Sequence, residues 1–141
     1  MDIKIKYHVE GLEEVEQNGD WIDLRSAEDV ELKQGDFKII SLGVSMKLPY
    51  GYEAHLAPRS STFKKWGIIQ TNSVGIIDNA YCGEEDIWGM PVYATRDIKI
   101  CKNDRICQFR LIPTMGHILI KRVNKMPDNK SRGGFGSTGI N

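Results

Sequence analysis

The chain has 141 residues, with Lys+Arg and Asp+Glu balanced at 19 each and a formal net charge of zero. That length suits one domain with a real core, and the balance argues against a bulk electrostatic grip on nucleic acid, which needs a marked basic excess. No apolar run nears the ~20 residues of a membrane span. Cys82, Cys101 and Cys107 form no C-x-x-C pair, which fits reduced thiols better than a disulfide frame or a zinc site. The expectation is a cytoplasmic protein with neither nucleic acid nor membrane as partner.

Along the chain the dominant period is two. The opening "MDIKIKYHVE" alternates charged and apolar residues and so lacks the unbroken apolar stretch of a signal peptide. Ile3, Ile5, Tyr7 and Val9 fall on one face of a strand, and Lys4, Lys6 and His8 on the other. "FKIISLGVSMKL" runs into the turn "PYG", and "YEAHLA" alternates again. One short helix is expected over residues 61–66, with Ser60 or Ser61 able to cap it. A glycine hairpin signal then precedes "GIID", which places Asp78 at the end of a buried strand. "GMPVYATRDIKI", "RICQFRLI" and "HILIKRV" continue the strand pattern. Turn signals recur about every ten residues, the spacing of a sandwich or barrel rather than of alternating βα units. From Met126 onward the chain loses its apolar residues apart from Phe135 and Ile140. The expectation is an all-β body over residues 1–126 and a mobile arm over residues 127–141. His8, His55 and His117 lie far apart and fit structural or solvated roles, and Trp66 and Trp88 fit packing.

Features suited to phosphate chemistry recur. "APRSST" sets Arg59 beside Ser60 and Ser61, a fork of donors with hydroxyls next to it. "GIIDNAYCGEEDIWG" carries Asp78, then Tyr81, Gly83 and Glu84. "NDRICQF" offers Gln108 as a neutral donor. "RGGFGSTGIN" ends the sequence with glycines and hydroxyls able to cradle an anion. Taken singly, these stretches also fit an ordinary turn, a turn-forming acid, an exposed strand residue and a tail.

Taken together, with "WIDLRSA", they resemble the five ordered motifs of the trimeric dUTP diphosphatases (dUTPases). The resemblance implies a jelly-roll-like all-β barrel or sandwich, a homotrimer with active sites at subunit interfaces, and a flexible C-terminal arm closing over a neighbour's site. It implies hydrolysis of dUTP to dUMP and pyrophosphate, which keeps uracil out of DNA and supplies dUMP for thymidylate synthesis. Asp78 is then the general base and Mg²⁺ the cofactor, held by Asp23 through water. Arg59, Ser60, Ser61 and Gln108 grip the phosphates. Asn72 and Gly75 belong to a hairpin that reads the uracil edge, and Tyr81 packs under the deoxyribose. In the arm Phe135 stacks on uracil, and Gly136, Ser137 and Thr138 close on the γ-phosphate with Arg132.

The sequence departs from the family pattern in places. Ser61 stands where a glycine usually follows "PRS", and Asn103 replaces the turn glycine before "DRI", a residue that still tolerates positive φ. "GDWIDL" lacks the usual Ala-Gly before Asp23. Lys130 holds the slot five residues before Phe135 where arginine is common, and Arg132 lies three before it; Arg132 is favoured for its bidentate fork. Two other readings share the fold: a dCTP deaminase-like enzyme, and a nucleotide-controlled protein-binding switch.

Overall fold

The computed structural model describes residues 1–128 and 130–134. Eleven strands and one short helix are assigned there, in four antiparallel sheets. The central sheet holds β2 (Ile22–Arg25), β11 (Arg105–Pro113), β6 (Tyr52–Pro58) and β8 (Gly75–Ile77), in the order β2-β11-β6-β8. A three-stranded sheet orders β4 (Phe37–Ser41), β9 (Gly89–Ala94) and β7 (Ile68–Gln70). Two pairs complete the body, β1 (Lys4–Tyr7) with β5 (Val44–Lys47) and β3 (Val30–Leu32) with β10 (Ile98–Ile100).

Alternation explains most of these elements. On β6, Ala54 and Leu56 point into the core, and on β9 Met90, Val92 and Ala94 do the same. Trp88 and Phe109 meet edge to face at 5.1 Å at the centre of the core. Each fully buried Leu, Ile or Phe contributes about 1.5–3 kcal/mol relative to its exposed state. Trp66 is buried too, so both tryptophans pack rather than face solvent.

"FKIISLGVSMKL" forms two strands: Gly43 between them takes φ +67°, a Cβ there would stand 2.7 Å from Ala27 Cβ, and β4 and β5 join different sheets. Two expectations need correction. Residues 72–78 lie in no hairpin ladder, because β7 pairs with β9 while β8 pairs with β6. "HILIKRV" forms no strand among the described residues; Ile118, Leu119 and Ile120 are exposed, Ile120 by 88%. A strand needs a ladder partner as well as a pattern, and regular pairing within the chain ends at Pro113.

The helix α1 (Thr62–Trp66) forms where expected, with Ser61 at its N-cap. The Ser61 side chain makes no capping bond. The holding group is Thr62, whose Oγ1 accepts from Arg59 N at 2.8 Å and donates to Ile106 O at 3.0 Å. Gly67 closes the helix with φ +65°.

Candidate active site

Three of the five motifs converge at one end of the central sheet. Gln108 on β11 lies opposite Asp23 of β2 on one side and Ala57 of β6 on the other, so the three share a face. Just past the end of β6, Arg59 turns back toward that face. Its Nε lies 3.0 Å from Asp23 Oδ1, and its NH1 donates to Arg105 O at 3.2 Å. Arg105 NH1 lies 3.5 Å from Asp23 Oδ2. Gln108 Nε2 donates to Pro58 O at 3.0 Å, tying β11 to the turn that carries Arg59. Ser60 and Ser61 follow in the same turn.

The result is a strongly basic recess. A polar pocket of about 340 Å³ is lined by Arg25, Arg59, Lys65, Asn103, Asp104 and Arg105. Arg25 donates to Asn103 O at 2.8 Å and pairs with Glu13 at 3.2 Å, so its guanidinium is already oriented. Asn103 takes φ +75°, as the left-handed turn before β11 requires. Asp23 therefore sits between two guanidinium groups, and its charge positions them. Arrangements of this kind bind polyanions, because Arg forks match phosphate oxygens. A larger cavity of about 460 Å³, lined by Ile3, Ile5, Val15, Met46 and Leu111 among others, is mainly apolar, and Asp23, Arg59, Asp78, Tyr81 and Gln108 are not in its lining.

Arg25 and Arg105 were not picked out as site residues from sequence, although both lie inside quoted motifs. Their signal was charge repetition: "DLRSA", "APRSS" and "NDRICQ" each bring one arginine to the recess. Behind it, Cys107 faces the core, and burial, with the nearby Asp23 charge adding, pushes its thiol far above the ordinary range. That thiol is inert. Cys82 and Cys101 are exposed and unbridged, as expected of reduced cysteines. His8 meets Ser45 Oγ at 2.6 Å and His55 meets Glu53 at 2.6 Å, which agrees with structural roles, and His117 is exposed.

The third motif lies elsewhere. β8 runs antiparallel to β6 with Leu56↔Gly75 and Ala54↔Ile77 as register partners. Gly75 permits that close approach, because a Cβ there would stand 3.1 Å from Leu56 Cβ. The register puts Asp78 opposite residue 53, six residues from Arg59 and about 20 Å away at ~3.3 Å per residue. Asp78 is also exposed, and β8 is an edge strand with Ile76 facing out, so the expected buried strand end is not found. Its carboxylate makes no hydrogen bond or ion pair among the described residues. Tyr81 N donates to Asp78 O at 3.0 Å, closing a turn, and the Tyr81 ring is part exposed with its Oη donating to Ile87 O at 3.3 Å. Asn72 is exposed beside the turn that leads into β8. That turn is tied to β6 by the buried Gln70, whose Nε2 donates to Leu56 O at 3.0 Å and to Ser73 O at 3.5 Å.

Lys130 and Arg132 are exposed, whereas Phe135, Gly136, Ser137 and Thr138 lie outside the described residues. For a metal, no cluster of three or more His, Cys, Asp or Glu side chains is present among the described residues. At the recess Asp104 already accepts from Cys101 N at 2.8 Å, and Asp23 faces two arginines. That donor set suits a hard cation carried in on phosphate oxygens and reached through water, and does not suit a dedicated protein cage.

An all-β frame with an arginine-rich recess, and a carboxylate displaced along the same sheet without a partner among the described residues, fits a protein that handles phosphorylated nucleotides. The dUTPase family model matches residues 21–139, and the chain belongs to the dUTPase family. It is 54% identical over 141 residues to the SPbeta prophage-derived deoxyuridine 5'-triphosphate nucleotidohydrolase YosS of Bacillus subtilis (strain 168), covering 99% of each chain. It is 35% identical to the deoxyuridine 5'-triphosphate nucleotidohydrolase of Crocosphaera subtropica, over 87% of this chain and 86% of that one. The fold is shared with the Staphylococcus bacteriophage 80alpha dUTPase solved with dUPNHPP, at TM-score 0.83, 22% identity and 99% of both chains. It is shared too with a dUTPase mutant from phage phi11 of S. aureus, solved with a structural Mg(II) ion, at TM-score 0.76 and 20% identity over 89% of this chain and 98% of that one.

Proposed function

We propose that the protein is a dUTP diphosphatase that hydrolyses dUTP to dUMP and pyrophosphate, acting as a homotrimer with shared active sites. The observation that carries the shared site is the separation along β6. A general base must come within hydrogen-bond reach of the water it activates, yet Asp78 lies about 20 Å from Arg59 in the same chain. One copy's recess and another copy's Asp78 can meet across a subunit interface. The exposed apolar row Ile118, Ile120 and Val123, on a segment without strand pairing, supports association.

In this reading Arg59, Ser60, Ser61 and Gln108, with Arg25 and Arg105, receive the triphosphate. Asp23 holds Arg59 and Arg105 at the spacing that phosphate oxygens need. Asp78 takes a proton from water as the water attacks the α-phosphorus in line. The bond to the β-phosphate oxygen breaks, and pyrophosphate leaves with the electron pair. Mg²⁺, when bound, neutralises charge on the triphosphate, with Asp23 placed to meet it through water. Asn72, Gly75 and the neighbouring backbone read uracil, and Tyr81 packs under the deoxyribose. The arm over residues 127–141, with Arg132, Phe135, Gly136, Ser137 and Thr138, closes over a neighbour's site. No helix among the described residues is long and apolar enough to cross a membrane, and we assign the enzyme to the cytoplasm.

The test is pyrophosphate release from dUTP, dTTP, dCTP and UTP by the wild type and by Asp78→Asn. Hydrolysis of dUTP alone, falling by about 10²–10⁴-fold in the variant with nucleotide binding kept, is the expected result. Wild-type protein that binds dUTP without cleaving it would sink the proposal.

A further inference from the structure

Among the described residues the Asp78 side chain has no partner, so its place is set by the backbone around it. The β6–β8 ladder ends at Ile77. One residue past Asp78, Asn79 Nδ2 donates to two main-chain carbonyls at once, Pro49 O and Tyr52 O, each at 2.8 Å. A carboxamide has two N–H donors, and both are used here. Its orientation is fixed as well, since the flipped amide would aim an oxygen at two carbonyl oxygens.

The acceptors belong to the turn between β5 and β6, and that turn is itself braced. Tyr52 N donates to Pro49 O at 3.2 Å, Gly51 takes φ +83°, and Thr114 donates to Gly51 O through its N at 2.8 Å and its Oγ1 at 3.3 Å. The far end of the Asp78 loop is anchored separately. Ser45 Oγ donates to Glu84 O at 3.0 Å, Lys6 pairs with Glu84 at 2.6 Å, and Trp88 N donates to Val44 O at 2.8 Å. Among these anchors only Asn79 adjoins the carboxylate.

We infer that Asn79 is a positioning residue for the hydrolysis, holding the Asp78 carboxylate in place through its paired bonds to the Pro49 and Tyr52 carbonyls. This rests on the reading of Asp78 as the base. A base displaced by about 1 Å can lose up to about 10²-fold in rate, and without Asn79 the carboxylate lies beyond the last ladder pair, with only the main-chain bond from Tyr81 N to Asp78 O beside it.

The experiment uses the full chain with Asn79→Ala, Asn79→Asp and Asp78→Asn, measuring kcat on dUTP, Kd for a non-hydrolysable imido analogue of dUTP, and Tm. Asn79→Asp keeps the shape and removes both donors. Both Asn79 variants are expected to lose about tenfold or more in kcat, with Kd within about threefold of wild type and the transition still cooperative. Wild-type kcat in Asn79→Ala would overturn the inference, as would parallel loss of kcat and analogue binding. If Asn79→Ala does not fold, Asn79→Ser, which keeps one donor, is judged by the same two criteria. Activity retained by Asp78→Asn would instead overturn the reading of Asp78 as base, and this inference with it.

Discussion

The two ends of β6 differ in how their charges are held. At its C-terminal end Arg59 is cross-braced: Asp23, the Arg105 carbonyl and the Thr62 hydroxyl each contact it, and Gln108 pins the turn beneath. At its N-terminal end the partner strand delivers Asp78 into solvent, with Asn79 fixed and the carboxylate itself unpaired among the described residues. The contrast fits the two roles proposed for them. A phosphate receptor gains from preorganised, multiply held donors, because holding them in advance lowers the ordering cost when the anion arrives. A base gains from an uncommitted carboxylate, since every strong donor bonded to it would weaken its hold on the proton it must take. One chain contains both halves and separates them.

That separation can be tested most severely by mixing. Arg59→Ala and Asp78→Asn homotrimers are each expected to be nearly inactive. Unfolded together and refolded, they should form sites that take Arg59 from one variant and Asp78 from the other. Random assembly makes about one site in four intact, so pyrophosphate release should reappear on mixing. If the mixture stays as inactive as its parents, the two halves do not meet across an interface.

A smaller effect is expected at Asp23. Asp23→Asn removes the charge between Arg59 and Arg105 and leaves them to repel each other. KM for dUTP at saturating Mg²⁺ should rise about tenfold, equivalent to ~1.4 kcal/mol. An unchanged KM with a raised Mg²⁺ requirement would assign Asp23 to the metal alone.

The smallest effects separate neighbouring hydroxyls under the Arg59 turn. Thr62→Val leaves Arg59 N and Ile106 O without their partner and should cost about 1–3 kcal/mol, read as a fall in Tm. Ser61→Ala removes no capping bond and should stay within ~0.5 kcal/mol of the parent stability. Reversal of that order would mean that Ser61 caps the helix after all.

Much of this protein was legible locally. Alternation located β1, β6, β9 and β11, because each has one face in the core and a period of two records it directly. The short helix was legible too, from local signals. Asp78, Arg59 and Gln108 could be named because the motifs carry chemistry in fixed order. β3 and β7, three residues each, were too short to leave a period. The break at Gly43 was hidden inside an apolar run that looks continuous, and only the crowding against Ala27 shows why it must bend.

What the sequence by itself determined, then, is the all-β class, the residue types at the site and the family, since these depend on patterning and composition over a few residues. Where those residues stand was decided by the tertiary structure. Pairing of β8 with β6, rather than with β7, sends Asp78 away from Arg59, and the antiparallel register sets the distance. The lack of a ladder partner among the described residues leaves "HILIKRV" exposed despite its strand pattern. Register and partner choice are relations between segments far apart in the chain, and no local period encodes them.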